Sequence, residues 1–203
     1  MSDYKSPYAA NIGRMNNSEV VSLAKNRFTD EETQIAIAKH HYSLGRQYLA
    51  RNPDVSPEAA KILWERKGYV LKCTLLEGGK MELSEEELTQ FYRTTFKGRE
   101  RRYWRMQQAF LGGHGWYRRH NESRTHGALL EEMYTDVIKG DPEYYLIRRF
   151  VDHPNCTLNL ALRISTMKVP PTDRWGSQRW DSVKQSALMK VAEITKREGA
   201  ISR

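Results

Sequence analysis

The sequence predicts a mostly α fold, an irregular helical-repeat or helical-bundle domain with room for one small β-hairpin. Three observations predict it. Helix-start signals recur along the chain, a four-residue phrase returns 26 residues later, and only one short stretch has the composition of a strand. The chain has 203 residues, of which 39% are hydrophobic and 29% charged. That balance belongs to a folded chain, long enough to bury a core without disulfide staples.

Residues 1–17 are polar, with Pro7, Gly13 and the pair Asn16-Asn17, and read as a flexible N-terminal arm. Leu23-Ala24-Lys25-Asn26 is echoed by Leu49-Ala50-Arg51-Asn52. Each copy runs into a helix start. The first is Asp30, ahead of Thr33, Ile35 and Ile37. The second is Ser56-Pro57-Glu58, ahead of Ala59, Ala60, Ile62, Leu63 and Trp64. Proline suits the first helical position because the N–H it lacks would have no helical partner there. Ser84 and Glu87 have the spacing of a capping box and lead into Leu88, Phe91 and Tyr92. A later echo, Val151-Asp152-His153-Pro154-Asn155-Cys156-Thr157, precedes Leu158, Leu160, Ala161 and Leu162. After a loop from Lys168 to Gly176, a final helix is expected from about Asp181 to Lys196, closing the core with Val183, Ala187, Leu188, Val191 and Ile194. Tyr69 to Leu76 is β-rich, and Glu77-Gly78-Gly79-Lys80 is the turn that would pair it with Met81 to Leu83. The expected organisation is the arm (1–17), a helical-repeat part (18–96), and a basic, aromatic part (97–203) packed with it as one domain.

The phrase Leu-Ala-Arg-Asn-Pro-Asp-Val-Ser-Pro-Glu, from Leu49 to Glu58, resembles the unit of variant leucine-rich repeats, relatives in spirit of HEAT repeats. The resemblance implies short helix pairs stacked into a curved solenoid, an architecture that serves binding as a rule. Two units (23–74) match in register, a third is offset by two residues, and a fourth matches only around His153 to Ala161. An irregular helical bundle with similar caps is the alternative.

The net charge is +8, and its distribution is uneven. Residues 1–96 carry 13 basic and 13 acidic side chains. Residues 97–124 carry eight basic and two acidic ones, a net of +6. A concentrated patch points to an anionic partner, where an even spread would serve solubility alone. Read as one helix, Lys97 to Leu111 sets Tyr103, Met106 and Phe110 on one face. Arg101, Arg105 and Gln108 lie on the other, with Arg102 beside them and Trp104 at the edge. Basic residues neutralise phosphates, and interleaved aromatics offer stacking to unpaired bases. Gly112-Gly113-His114-Gly115 resembles the Gly-x-x-Gly loop of KH domains, which implies a backbone clamp on RNA or single-stranded DNA. It departs from that loop in lacking Lys or Arg at the variable pair and in carrying Arg118 where an aliphatic residue is usual. Arg174-Trp175 and Arg179-Trp180 form a second constellation, either a stacking surface or two tryptophans sealing the last helix onto the core.

The expected nucleic-acid-binding residues are therefore Lys97, Arg99, Arg101, Arg102, Trp104, Arg105, Gly112, Gly113, His114, Gly115, Trp116, Tyr117, Arg118, Arg119, Arg124, Arg174, Trp175 and Arg179. The expected partner is RNA, in single-stranded form or as mRNA, with single-stranded DNA second. Small basic chains without enzyme motifs are common among large phages, and an mRNA-binding phage protein fits that pattern.

Enzyme chemistry finds little footing. His114, His120 and His126 recur at a spacing that aligns no three side chains on a helix face, and no cysteine accompanies them, so no metal is expected. His40-His41, taken as helical, diverge. Neither a phosphate loop nor a nucleophile elbow is present in the sequence, and no cofactor is expected. Two alternatives stand beside RNA binding. One is a helical-repeat adaptor for an acidic protein. The other is a HEAT-like alkylbase DNA glycosylase, which would draw on Trp175, Trp180 and Asp181. Cys73 and Cys156 form no paired framework, and there is neither a signal-peptide core nor an apolar run of membrane length, so a cytoplasmic location without a membrane partner is expected.

Overall fold

The computed structural model describes residues 6–99, 102–111, 125–140, 143–169 and 177–201. Among the described residues every regular element is helical and no strand is present. They fall into two compact units, 6–82 and 83–201.

The first unit holds α1 (Pro7–Asn11), a 3-10 turn (Ile12–Arg14), α2 (Asn17–Lys25), α3 (Glu31–Lys39), α4 (Ser43–Arg51), α5 (Pro57–Glu65) and α6 (Tyr69–Glu77). Alternate helices stack. α1, α3 and α5 form one layer and α2, α4 and α6 the other. The buried face of each helix is small or aliphatic, with Ala24, Ala38, Ala50, Ala59 and Ala60 set among Val20, Ile37, Leu49, Leu63 and Leu75. Small residues let successive helices close up. Gly45 is the extreme case, because a Cβ there would stand 2.8 Å from Val20 Cγ1 on α2.

The loops that end α2 and α4 are built alike. Asn26 Oδ1 accepts the Phe28 N–H at 3.0 Å, and Asn52 Oδ1 accepts the Asp54 N–H at 2.9 Å. The cap then follows. Asp30 accepts the Thr33 N–H at 2.8 Å and Ser56 Oγ the Ala59 N–H at 3.2 Å. Asn52 is buried, and its Nδ2 donates to the carbonyls of both Ala24 and Asn26 at 3.0 Å, tying the end of α4 to the end of α2. Gln34 ties the next layer in the same way, donating to the Thr29 and Asp54 carbonyls and accepting the Ser56 N–H.

Two expectations for this unit change. From Ser6 onward the expected arm is folded. The Ser6 N–H donates to Glu32 at 2.8 Å and its hydroxyl donates to Asp30 at 2.9 Å, while α1 packs on α3. Ser6-Pro7 is thus a third Ser/Asp start in the series with Asp30 and Ser56. The expected hairpin is helix α6 instead. Leu71, Thr74 and Leu75 are buried at helical spacing, and that burial outweighs the strand preference of Tyr69, Val70 and Thr74. Gly78-Gly79 ends the helix rather than turning a hairpin. Gly79 has φ of 64°, with its N–H on the Leu76 carbonyl at 3.0 Å and the Lys80 N–H on the Leu75 carbonyl at 2.8 Å. This is the double closure of a Schellman end, which requires the left-handed residue.

The second unit holds α7 (Glu85–Thr95), α8 (Tyr103–Phe110), α9 (Gly127–Val137), α10 (Tyr144–Asp152), α11 (Leu158–Ser165) and α12 (Ser177–Ile201). The Ser84–Glu87 capping box forms in both directions, at 2.8 and 3.2 Å. Phe91, Tyr92, Phe96 and Phe110 make an aromatic cluster with ring centroids about 6 Å apart, mostly edge-on as ring quadrupoles favour. α12 lies on α11 and α10, with Trp180, Val183 and Ala187 buried. It begins earlier and ends later than expected, and Leu188 is exposed rather than core.

His153 to Thr157 repeats the loop of the first unit. His153 Nδ1 accepts the Asn155 N–H at 3.1 Å, where Asn52 Oδ1 accepts that of Asp54. Thr157 Oγ1 caps α11 on the Leu160 N–H at 3.0 Å. Since Nδ1 accepts, the ring proton sits on Nε2, which is buried without a hydrogen-bond partner. Burial holds the imidazole neutral and pushes its pKa down to about 4, helped by nearby Lys190 and opposed by the Phe110 carbonyl. Between the ordinary histidine pKa, 6.5, and about 4, the unfolded chain takes a proton that the folded chain refuses. Stability is therefore intact above the upper value and falls as pH drops through the window, by up to about 3 kcal/mol. His40, also depressed by burial, acts in the same direction, and Glu132, held down from 4.5 to about 2, adds to the loss only from the acid end of this window downward. Unfolding free energies from pH 7.5 to 4.5 are expected to fall in the parent and to fall less steeply in His153→Asn, which places the first unit's residue in the second unit's loop. Equal slopes in the two proteins would show that His153 does not carry the effect.

Candidate nucleic-acid interface

The entry to the basic segment is shaped by α7 and α9. Gly98 takes a φ of 67°, which breaks the helix expected over Lys97 to Leu111, so α8 starts only at Tyr103. The Gly98 N–H donates to Asp136 at 2.9 Å, and Asp136 also accepts the Tyr92 hydroxyl at 2.9 Å. Met106 and Phe110 take the buried face as expected. Gln107 is buried beside them, which the helical wheel did not anticipate.

Much of the charge here is used internally. Lys97 Nζ pairs with Glu132 at 2.9 Å, and Arg93 holds the same carboxylate through Nη2 at 2.7 Å and Nε at 3.0 Å. Arg93 first, then Lys97, hold the Glu132 carboxyl down to about 2 against the opposing effect of burial. Arg99 and Arg102 both donate to the Thr95 carbonyl, at 3.3 and 2.8 Å, where the negative end of the α7 dipole favours them. Trp104 differs from all of these. It is 52% exposed, and the Arg105 guanidinium lies over its ring at 4.1 Å from the centroid. An exposed indole with a guanidinium on its face is a flat, cationic surface.

Of the second constellation, Arg179 lies 5.1 Å over the Tyr144 ring and donates to its hydroxyl at 3.1 Å. Trp180 is buried, and of the two readings of that pair it takes the sealing role. Arg101, Gly112, Gly113, His114, Gly115, Trp116, Tyr117, Arg118, Arg119, Arg124, Arg174 and Trp175 lie outside the described residues. The structure thus places Lys97, Arg99, Arg102, Trp104 and Arg105 around the α7–α8 junction and Arg179 on α12. Glu132 was missed by sequence reasoning because it stands 35 residues from Lys97 with no local signal to link them.

His40 and His41 do not sit on a helix as expected. His40 ends α3 with an extended backbone, and the two rings lie 4.2 Å apart. Among the described residues no group of histidine, cysteine and carboxylate side chains could hold a metal, and no helix is long and apolar enough to cross a membrane. Comparison with protein-family models, with curated proteins and with solved structures gives no match for this chain.

Because Lys97 is engaged by Glu132, Lys97→Ala is expected to cost no more than about 1 kcal/mol of stability, as exposed ion pairs do, and to leave nucleic-acid affinity nearly unchanged. Thermal melts and anisotropy titrations of the variant check this. A strong loss of binding with normal stability would return Lys97 to the interface.

Proposed function

We propose that this chain is a non-catalytic RNA-binding protein that takes single-stranded RNA on the α8 surface bearing Trp104 and Arg105. The observation that carries the reading is the exposed indole under a guanidinium, within the chain's densest basic segment. Unpaired bases can stack on such a surface, whereas bases inside a closed duplex cannot. The guanidinium adds charge next to the stacking face, where a backbone phosphate would lie. Single-stranded DNA presents the same faces and is the second ligand of this reading.

An adaptor role is the second reading, and it has its own observation. Leu188 and Met189 on α12 and Leu162 on α11 are 48%, 66% and 45% exposed, on two helices that pack together. A protein partner would use those apolar residues, and RNA would not.

Trp104→Ala separates the readings. It is expected to weaken binding of an unstructured RNA of about 20 nucleotides by on the order of 1–3 kcal/mol. Its melting temperature should stay unchanged, because the indole is half exposed. Arg105→Ala should lower the dependence of affinity on salt, since fewer counterions are released. Anisotropy titrations at several salt concentrations measure both. Normal binding by both variants would contradict the proposal.

A further inference from the structure

A second set of basic groups lies in the first unit, at the end where α3 stops and α4 begins. Arg46 reaches back from the first turns of α4 to donate through Nη1 to the His40 carbonyl. Arg66, at the end of α5, donates through Nη2 to the neighbouring Lys39 carbonyl at 2.6 Å. Two guanidinium groups are thereby held on consecutive carbonyls. Capping the end of α3 explains one donor of each fork, but a guanidinium has five.

Among the described residues no carboxylate pairs with Arg46 or Arg66, and Glu65, next in sequence to Arg66, forms no ion pair with either. Arg46 Nε is buried without a hydrogen-bond partner. Burial, and then the repulsion of Arg66, disfavour the charged form of Arg46. His40 is 8% exposed, its Nδ1 accepts the Tyr42 N–H at 3.3 Å, and its Nε2 is buried without a partner within the electrostatic reach of Arg46 and His41. The helix start at the same place is unshielded. α4 has no side-chain cap and no acidic residue in its first turn, and neither has α6, which begins three residues after Arg66. By contrast α2, α3, α5 and α7 are capped by Asn16, Asp30, Ser56 and Ser84, each with acidic residues in the first turn. The start of α4 without a side-chain cap, two arginines without a carboxylate partner and a buried imidazole nitrogen without a hydrogen-bond partner together lack one thing, an anion with several acceptor oxygens.

We propose that Arg46, Arg66 and His40, at the uncapped start of α4, form a binding site for a phosphate group. The site lies outside the basic segment and stands whether or not that segment binds RNA. The phosphate is either one of a nucleic-acid backbone or that of a small phosphate ester. Both offer the same oxygens to the same donors.

The test uses the full chain and inorganic phosphate first. At matched ionic strength and pH 7, phosphate is expected to raise the melting temperature by a few degrees over chloride, with saturation. The His40 Cε1–H resonance should move along the same binding curve. In Arg66→Gln, and in Arg46→Gln with Arg66→Gln, the stabilisation by phosphate should shrink or vanish. The second arm is an unstructured RNA of about 20 nucleotides. An affinity about tenfold lower in the double variant, with phosphate competing in the parent, identifies a backbone phosphate. Unchanged RNA affinity beside a lost phosphate effect identifies a small phosphate ester. Should the double variant fail to fold, the parent's His40 resonance decides alone. A parent that responds to phosphate no more than to chloride, with a stationary His40 resonance, overturns the proposal, and does so without bearing on the Trp104 surface.

Discussion

The stack of helix pairs in the first unit depends on how the end of one helix is tied to the end of the helix two before it. Asn52 makes that tie. One buried amide donates to the Ala24 and Asn26 carbonyls, and its oxygen takes the N–H of Asp54. Carbonyls at a helix end have no partner within the helix, and leaving them buried and unpaired would cost on the order of 1–3 kcal/mol. With that end fixed, Val55 is turned into the core and Ser56 falls at the start of α5, as Thr29 and Asp30 do one turn of the repeat earlier. In the second unit His153 holds the corresponding place in its loop, with Cys156 buried and Thr157 as the cap. The imidazole performs the loop-closing task of the amide but brings a titratable ring into the core. That difference gives the second unit a sensitivity to acid that an asparagine loop lacks.

Three of the caps were legible in the sequence because a cap is local. Asp30, Ser56 and Ser84 each satisfy an N–H three residues on, and residue type with spacing suffices to find them, whereas the Asn16–Glu19 capping box was hidden in the polar composition of the expected arm and the His126 cap has an unusual residue type. Other features depend on what a residue packs against, and there the sequence misled. Tyr69 to Leu76 reads as a strand by composition, yet the core side of the first unit takes it as a helix, and Gly79 caps that helix rather than turning a hairpin. Ser6-Pro7 has the same form as Ser56-Pro57, but its hydrogen bonds run to Asp30, Glu32 and Thr33, far along the chain, so it read as part of an arm.

The candidate site shows the same division. The charge density of residues 97–124 is visible in the sequence, but how each charge is used is not. Glu132, from α9, takes Lys97 and Arg93. The Thr95 carbonyl takes Arg99 and Arg102. The helical wheel placed Trp104 at the edge of a basic face, and its exposure with Arg105 across the ring is a matter of tertiary placement. Arg46, Arg66 and His40 escaped notice for a related reason. They are spread over 27 residues, and only the stacking of α3 to α6 gathers them at one end of the unit.

In the proposed function a stacking surface, and not charge alone, selects the ligand. Affinity of the unmodified protein for an unstructured RNA of about 20 nucleotides, set against a duplex DNA of equal length over a range of matched salt concentrations, tests it most directly. Selection by stacking requires tighter binding of the single strand at every salt concentration, with the preference persisting as salt weakens both. Equal or tighter binding of the duplex, converging with the single strand as salt rises, would contradict it.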